Sequence, residues 1–156
     1  MGSARRSSPF TKIGPGPLGP PLIGALLRFP WETVRRRMLD RLHDSGFGDL
    51  DAAHLGVFLF PGPEGAKPSE LAARLRASKQ SVNHLLGQLE RLGYLERRDD
   101  ANDLRARRIH LTARGRAAGL TMRETVKQVE REWEQRLGAK RMALLRELLR
   151  ELSAEA

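Results

Sequence analysis

Between Ser69 and Gly115 the chain places two short amphipathic helical patterns on either side of a tight turn, then two basic strand-like runs around a charged tip. That order leaves few folds open. The first pattern, SELAARL, starts at Ser69 as a suitable N-cap and directs Leu71, Ala72 and Leu75 inward. Arg76 and Ala77 make the turn. Ser78 can cap the second helix, whose Val82, Leu85, Leu86, Leu89 and Leu92 recur at helical spacing and form one apolar stripe. Its other face carries Lys79, Gln80, Asn83, His84 and Gln88. A helix that is merely solvated favours Glu and Lys, whereas Ser81, Asn83 and Gly87 are poor helix formers. Short hydrogen-bonding side chains at a helix start are what reading base edges in a major groove requires. Gly87 forgoes a side chain on the outward stripe at a cost of about 1 kcal/mol, which fits a backbone that approaches a phosphate closely.

After Gly93, a strand is expected from Tyr94 to Glu96, a turn over Asp99 to Asp103, and a return strand from Arg107 to Leu111. This hairpin carries Arg97, Arg98, Arg105, Arg107 and Arg108. So many guanidiniums on one ribbon repel one another unless an anion meets them, and the phosphates of double-stranded DNA supply one. The formal net charge of +9 adds long-range attraction to a polyanion. Charge alone would fit an acidic membrane surface equally well, so the motif decides the reading.

These residues resemble the MarR family of winged helix-turn-helix transcriptional regulators. SELA with SKQSVNHLLGQLERLGYLERR is similar to that family's helix-turn-helix, and NDLRARRIHLTARG to its wing. Asp103 and Arg105 fall on the family's Asp-x-Arg wing motif, in which the Arg enters the minor groove and the Asp holds it. Thr112 to Gly115 match the turn into the long fifth helix. The resemblance implies a mainly α fold with a small β-hairpin wing, a winged helix-turn-helix flanked by N- and C-terminal dimerisation helices. It implies that Ser78, Lys79, Gln80, Ser81, Asn83 and His84 meet the major groove. It also implies that Arg97, Arg98, Asp103, Arg105 and Arg107 serve backbone and minor groove. One departure is His84, where many members carry Arg, so base preference there is open.

The flanks set the expected organisation. Residues 1–21 read as a flexible, basic, Gly- and Pro-rich tail, or as an arm touching DNA or a partner subunit. Residues 22–48 read as an N-terminal dimerisation helix: Leu22 to Phe29 is apolar, Pro30 interrupts and kinks it, and Trp31 to Asp44 resumes with Val34, Met38 and Leu42 in register. Residues 49–111 form the DNA-binding module, in which Leu50 to Phe60 is a short helix ended by PGPEG, and Ala66 with Lys67 a short strand beside the wing. Residues 112–156 supply two C-terminal helices split at Gly138. Met122, Val126, Val129 and Trp133 line one; Met142, Leu145, Leu149 and Leu152 line the other, with Leu144 and Leu148 beside them. One small module cannot cover both stripes, so a homodimer is expected.

Other chemistry finds little footing. His43, His54 and His110 show no i, i+4 pairing, and without cysteine a zinc site would have to assemble from distant segments, so no metal or other cofactor is expected. The absence of cysteine also excludes the peroxide-sensing branch of the family. No nucleophile-base motif or phosphate-binding glycine loop occurs, so the chain does not read as an enzyme. No apolar run approaches the roughly 18 residues of a membrane span and no signal-peptide core is found, which gives a cytoplasmic expectation and no membrane partner. The resemblance further implies a small aromatic or phenolic effector in a crevice formed by Trp31, Arg35, Met38, His54, Phe58 and Trp133, residues that otherwise read as ordinary core. Gly56 and His84 stand where a urate-responsive member would need an acid and an Arg. The rival reading is a winged helix used as a protein-interaction module without its own operator, which would show an apolar outward face on the second helix.

Overall fold

The computed structural model describes residues 19–58, 65–100 and 103–154, with the side chains of 103–106 excepted. Most of the 1–21 tail, the end of the 50–60 segment and most of PGPEG lie outside the described residues. The elements in chain order are α1 (Ile23–Asp44), α2 (Leu55–Phe58), α3 (Pro68–Leu75), α4 (Lys79–Arg91), β1 (Leu95–Asp100), β2 (Asp103–Leu111), α5 (Ala113–Leu137) and α6 (Ala139–Ala154). The chain divides into two compact units, residues 1–33 and 34–156.

In the first unit, Leu22 and, on the opening turns of α1, Ile23, Leu26, Leu27 and Trp31 are exposed. α1 carries Pro30, the residue expected to kink it, inside its length. A proline removes a single backbone bond and costs about 3 kcal/mol, which a helix with long runs on both sides can carry.

The second unit holds the core. Val34, Met38 and Leu42 of α1 are buried in the register expected of them, together with Leu71 and Ala72 of α3, Val82, Leu86 and Leu89 of α4, and Met122 and Val129 of α5. Leu85, Leu92, Val126 and Trp133 pack against this cluster while remaining partly exposed.

Local chemistry moves several boundaries from where the sequence put them. The helix expected from Leu50 begins only at Leu55, because the Asp51 carboxylate accepts from the backbone of Ala53 at 2.8 Å and closes a turn first. Ser69 is not the cap of α3. Pro68 takes the first helical position, and Glu70 accepts from the Lys67 amide at 3.0 Å. The turn into α4 passes through Arg76 in the left-handed region, at φ 49°. Ser78 then caps α4 by accepting from Ser81 N at 3.1 Å. The hairpin strands are longer than expected, reaching Asp100 on one side and starting at Asp103 on the other. Ala66 pairs with Ile109 alongside β2.

Gly115 is required at the entry to α5, since a Cβ there would lie 2.1 Å from the Tyr94 carbonyl oxygen. Gly138 ends α5 at φ 82°, and α6 packs beside it with Arg146 donating to Glu130 at 2.9 Å. Met142 is buried, but Leu144, Leu148, Leu149 and Leu152 are exposed.

Candidate nucleic-acid interface

The outward face of α4 is polar, as its sequence requires: Lys79, Gln80, Ser81, Asn83 and His84 are all exposed. Gln88 is not part of that face. Its side chain turns toward α2, where His54 is buried. His54 Nδ1 accepts from the Asp51 amide at 3.1 Å, and Nε2 lies 3.3 Å from Gln88 Oε1. This joint fixes the middle of α4 against the chain leading into α2.

The ribbon divides its arginines between its two faces. β1 and β2 pair Arg97 with Ile109, Arg98 with Arg108 and Asp99 with Arg107, so Arg97 and Arg107 share one face and Arg98 and Arg108 the other. Between ribbon and α4 lies a cleft of about 470 Å³ lined by Lys67, Pro68, Ser69, Lys79, Asn83, Arg97 and Arg107. Four cations and the start of α3 converge there on a space that suits phosphate oxygens.

The ribbon arginines are not left to repel one another, contrary to the expectation from charge. Arg97 Nε donates to both oxygens of Glu90 at 3.0 Å. Arg98 pairs with Glu96, Arg107 lies 3.7 Å from Asp99, and Arg108 donates to Asp100 at 3.2 Å. The pairs of Arg98 and Arg107 are well exposed and therefore weak, worth about 0–1 kcal/mol each. Asp103 and Arg105 stand on β2, but their side chains lie outside what is described.

A third joint holds the end of α4. Tyr94 donates to Asp49 Oδ1 at 2.5 Å, while Arg114 donates to Asp49 Oδ2 at 2.8 Å and to the Leu92 carbonyl at 2.9 Å. The Arg114 guanidinium also lies 4.4 Å from the Tyr94 ring centroid. Burial, then the hydrogen bond to the Asp49 carboxylate and its negative charge, push the Tyr94 phenol up to about 12, against the opposing pull of Arg114. Tyrosine 94 read from sequence only as a strand start; its partner lies 45 residues away.

A helix-turn-helix whose second helix and basic ribbon flank one cationic cleft is the arrangement of a winged helix. The model of the MarR family matches residues 49–106, from the loop before α2 to the outer part of β2. Wild-type MarR from E. coli, in its apo form, superimposes with a TM-score of 0.65 at 25% identity, covering 85% of this chain and 96% of that one.

Over residues 49–106 the chain matches the MarR family, and its fold is that of MarR-family structures.

Two further structures place the likeness. Transcriptional regulator Tm0710 from Thermotoga maritima aligns at 26% identity and TM-score 0.56, over 85% of this chain and 92% of its own. A mutant of MepR from S. aureus, solved bound to an oligodeoxyribonucleotide, shares the fold at 20% identity and TM-score 0.54, over 86% and 97%. No curated protein sequence matches the chain. In this winged-helix fold α4 is the second helix of the helix-turn-helix and β1–β2 the wing.

The crevice residues are only partly gathered. Met38 and Phe58 line an open cavity of about 700 Å³ with Leu111, Met122 and Val126, and with the cationic Arg116, Arg123 and Lys127 of α5. His54 instead serves α4, Trp133 packs on the core, and neither these nor Arg35 line the cavity. Trp31 belongs to the other unit. The cations on α5 were missed because they read as a solvated helix face; their spacing at 116, 123 and 127 was the available signal. Among the described residues, no helix is long and apolar enough to cross a membrane.

Proposed function

We propose that the protein is a cytoplasmic transcription regulator that represses by occupying a pseudo-palindromic DNA operator as a homodimer. The observation that carries this reading is the cleft in which Lys67, Lys79, Asn83, Arg97 and Arg107 converge between recognition helix and wing. Asn83 and its neighbours Ser78, Lys79, Gln80, Ser81 and His84 meet base edges, while Arg97, Arg98, Arg105 and Arg107 meet phosphates and the minor groove, with Asp103 orienting Arg105. The capture of the related MepR mutant on an oligodeoxyribonucleotide supports the same use of the fold here. A protein-interaction module would want an apolar outward face on α4, and the exposed polar one argues against it.

The terminal segments supply the dimer. Leu144, Leu148, Leu149 and Leu152 on α6 leave apolar surface exposed that a second copy would cover. An aromatic carboxylate is the effector class that suits the cavity of Met38 and Phe58, with Arg116, Arg123 and Lys127 for its charge.

Footprinting on the DNA flanking the protein's own gene, repeated across a salt series, tests the reading. A dimer should protect two half-sites about one helical turn apart, and log affinity should fall with log salt by about 0.9 for each phosphate neutralised. Salt-independent binding, or no protected site, would refute it. Salicylate-like acids should release the same DNA.

A further inference from the structure

Asp100 lies beside the tip of the wing, where a carboxylate is expected to be solvated, yet its side chain is only 3% exposed. Removing a carboxylate from water is costly unless charge and hydrogen bonds replace its hydration. Arg108 provides one replacement from across the ribbon, donating through Nη1 to Asp100 Oδ2 at 3.2 Å. Lys67 Nζ provides another, 3.5 Å from the same oxygen. Arg108 also donates through Nη2 to the Gly65 carbonyl at 3.1 Å, and Ala66 and Ile109 exchange backbone hydrogen bonds of 3.1 and 2.8 Å.

Three stretches of chain therefore meet on one buried carboxylate: the outer end of β1, the middle of β2 and the segment entering α3. The pairing register shifts between Asp99 and Asp100, and such an irregularity re-aims side chains. Asp99, one residue earlier, points to solvent and is 72% exposed.

We propose that Asp100 is a positioning residue for the wing: its buried carboxylate, clasped by Arg108 and Lys67, fixes the outer ribbon against the entry to α3. The inference rests on the DNA-binding reading above. It explains why a chain that seeks a polyanion keeps a negative charge at this spot. Without the clasp, the ribbon would lose its fixed angle to α4, and the tip would no longer reach the flanking backbone as α4 enters its groove. Lys67 also lines the cleft, so the same clasp holds one of the cleft cations in place.

Charge and geometry give Asp100→Asn opposite signs. By charge alone, deleting a carboxylate near the DNA face tightens binding. By positioning, it weakens binding and removes contacts at the flanks. The test compares wild type, Asp99→Asn, Asp100→Asn and Asp100→Glu by anisotropy across a salt series and by hydroxyl-radical footprinting at saturating protein. Asp99→Asn should bind at least as tightly as wild type. Asp100→Asn should bind about tenfold more weakly, with a salt slope shallower by about 0.9 for each flanking phosphate lost. Its footprint should keep the protection under α4 and lose the protection at the operator flanks. A purely structural role would lower the melting temperature yet leave the slope and the saturated footprint unchanged.

If Asp100→Asn fails to fold by circular dichroism, Asp100→Glu decides, because it keeps the charge and displaces it by one methylene. Loss of flank protection in that variant supports the inference. A wild-type footprint and slope in the variant that folds, or tighter binding by Asp100→Asn, overturns the inference alone. Absence of DNA binding by the wild-type chain overturns the functional reading, and this one with it.

Discussion

Neutralising Glu90 should strengthen DNA binding while weakening the fold. Glu90 closes the last turn of α4, and Arg97 Nε donates to both of its oxygens at 3.0 Å. The two side chains are 30% and 28% exposed, so the pair sits toward the upper end of the surface range, about 1 kcal/mol. If Arg97 turns its whole guanidinium to a phosphate, Nε gives up that pair, and the same energy is withheld from binding. Glu90→Gln removes the competitor, so affinity should rise about fivefold for each copy that binds, or about 25-fold for a symmetric dimer on two half-sites. The salt slope should steepen, since the local carboxylate no longer offsets the guanidinium beside the DNA. Urea unfolding should meanwhile show a loss of about 1 kcal/mol per chain. Anisotropy over a salt series and denaturation on the same preparations read both effects. Lower stability with unchanged affinity and slope would refute the reasoning: Arg97 would then remain on Glu90 in the complex, tying the end of α4 to β1 rather than meeting DNA.

Gly87→Ala should raise stability by about 1 kcal/mol, because the added Cβ would meet only the Arg91 guanidinium at 3.6 Å; it should weaken DNA binding as well, and unchanged affinity would remove the functional reason for the glycine. Tyr94→Phe should cost about 1.5–3 kcal/mol at neutral pH, the net worth of a hydrogen bond to a charged acceptor. A phenol raised from 10.0 to about 12 holds its proton more tightly folded than unfolded, so its contribution is complete below pH 10 and is lost as pH rises toward 12. The gap between wild type and variant should therefore close over that window; a constant gap, or tyrosinate absorbance from the sole tyrosine appearing at pH 10 in folded protein, would contradict the assignment. Leu148→Asp combined with Leu152→Asp should leave the monomer folded, since both side chains are already exposed, and should halve the mass seen by light scattering; a dimer that persists would move the interface elsewhere.

Periodicity made α4 readable. Val82, Leu86 and Leu89 repeat at helical spacing, and their burial leaves Asn83 and His84 no direction but outward. Capping was readable in part: Ser78 was found, whereas Pro68 followed by Glu70 carried the true start of α3 and was passed over in favour of Ser69. What composition hid was pairing. Glu90, Glu96 and Asp99 are plain in the sequence, yet only the register of the ribbon and the end of α4 bring each to its arginine. Asp100 with Lys67 and His54 with Gln88 join residues 33 and 34 positions apart, beyond any local pattern. Asp100 looked like a turn residue because a turn is where an aspartate usually finds water.

These joints also constrain how any signal can reach the DNA. The entry to α5 is fastened to the end of α4 and the start of β1 by several short links. Thr112 donates through its hydroxyl to the Gly93 carbonyl at 2.6 Å and through its amide to Tyr94 O at 3.0 Å, and Arg114 reaches Leu92 O and Asp49. Gly115 sits so close to Tyr94 that no side chain could be inserted between them. Packed elements of this kind switch between discrete arrangements or move as one piece; they do not bend by degrees. α4 and α5 are therefore fastened to each other, and the cavity beside Arg116, Arg123 and Lys127 is lined by that same α5. If the proposed aromatic acid binds there, these links leave it little soft structure within the module to act on. Its leverage would then lie in the seam between copies of the proposed dimer, where a small rotation of each α5 would change the spacing of the two α4 helices. A ligand that binds both spacings equally shifts nothing, so release by such an acid would require the cavity to differ in shape or charge between the two spacings. Cross-linking the two copies through α6 in the DNA-bound spacing should therefore abolish release by aromatic acids while leaving their binding intact.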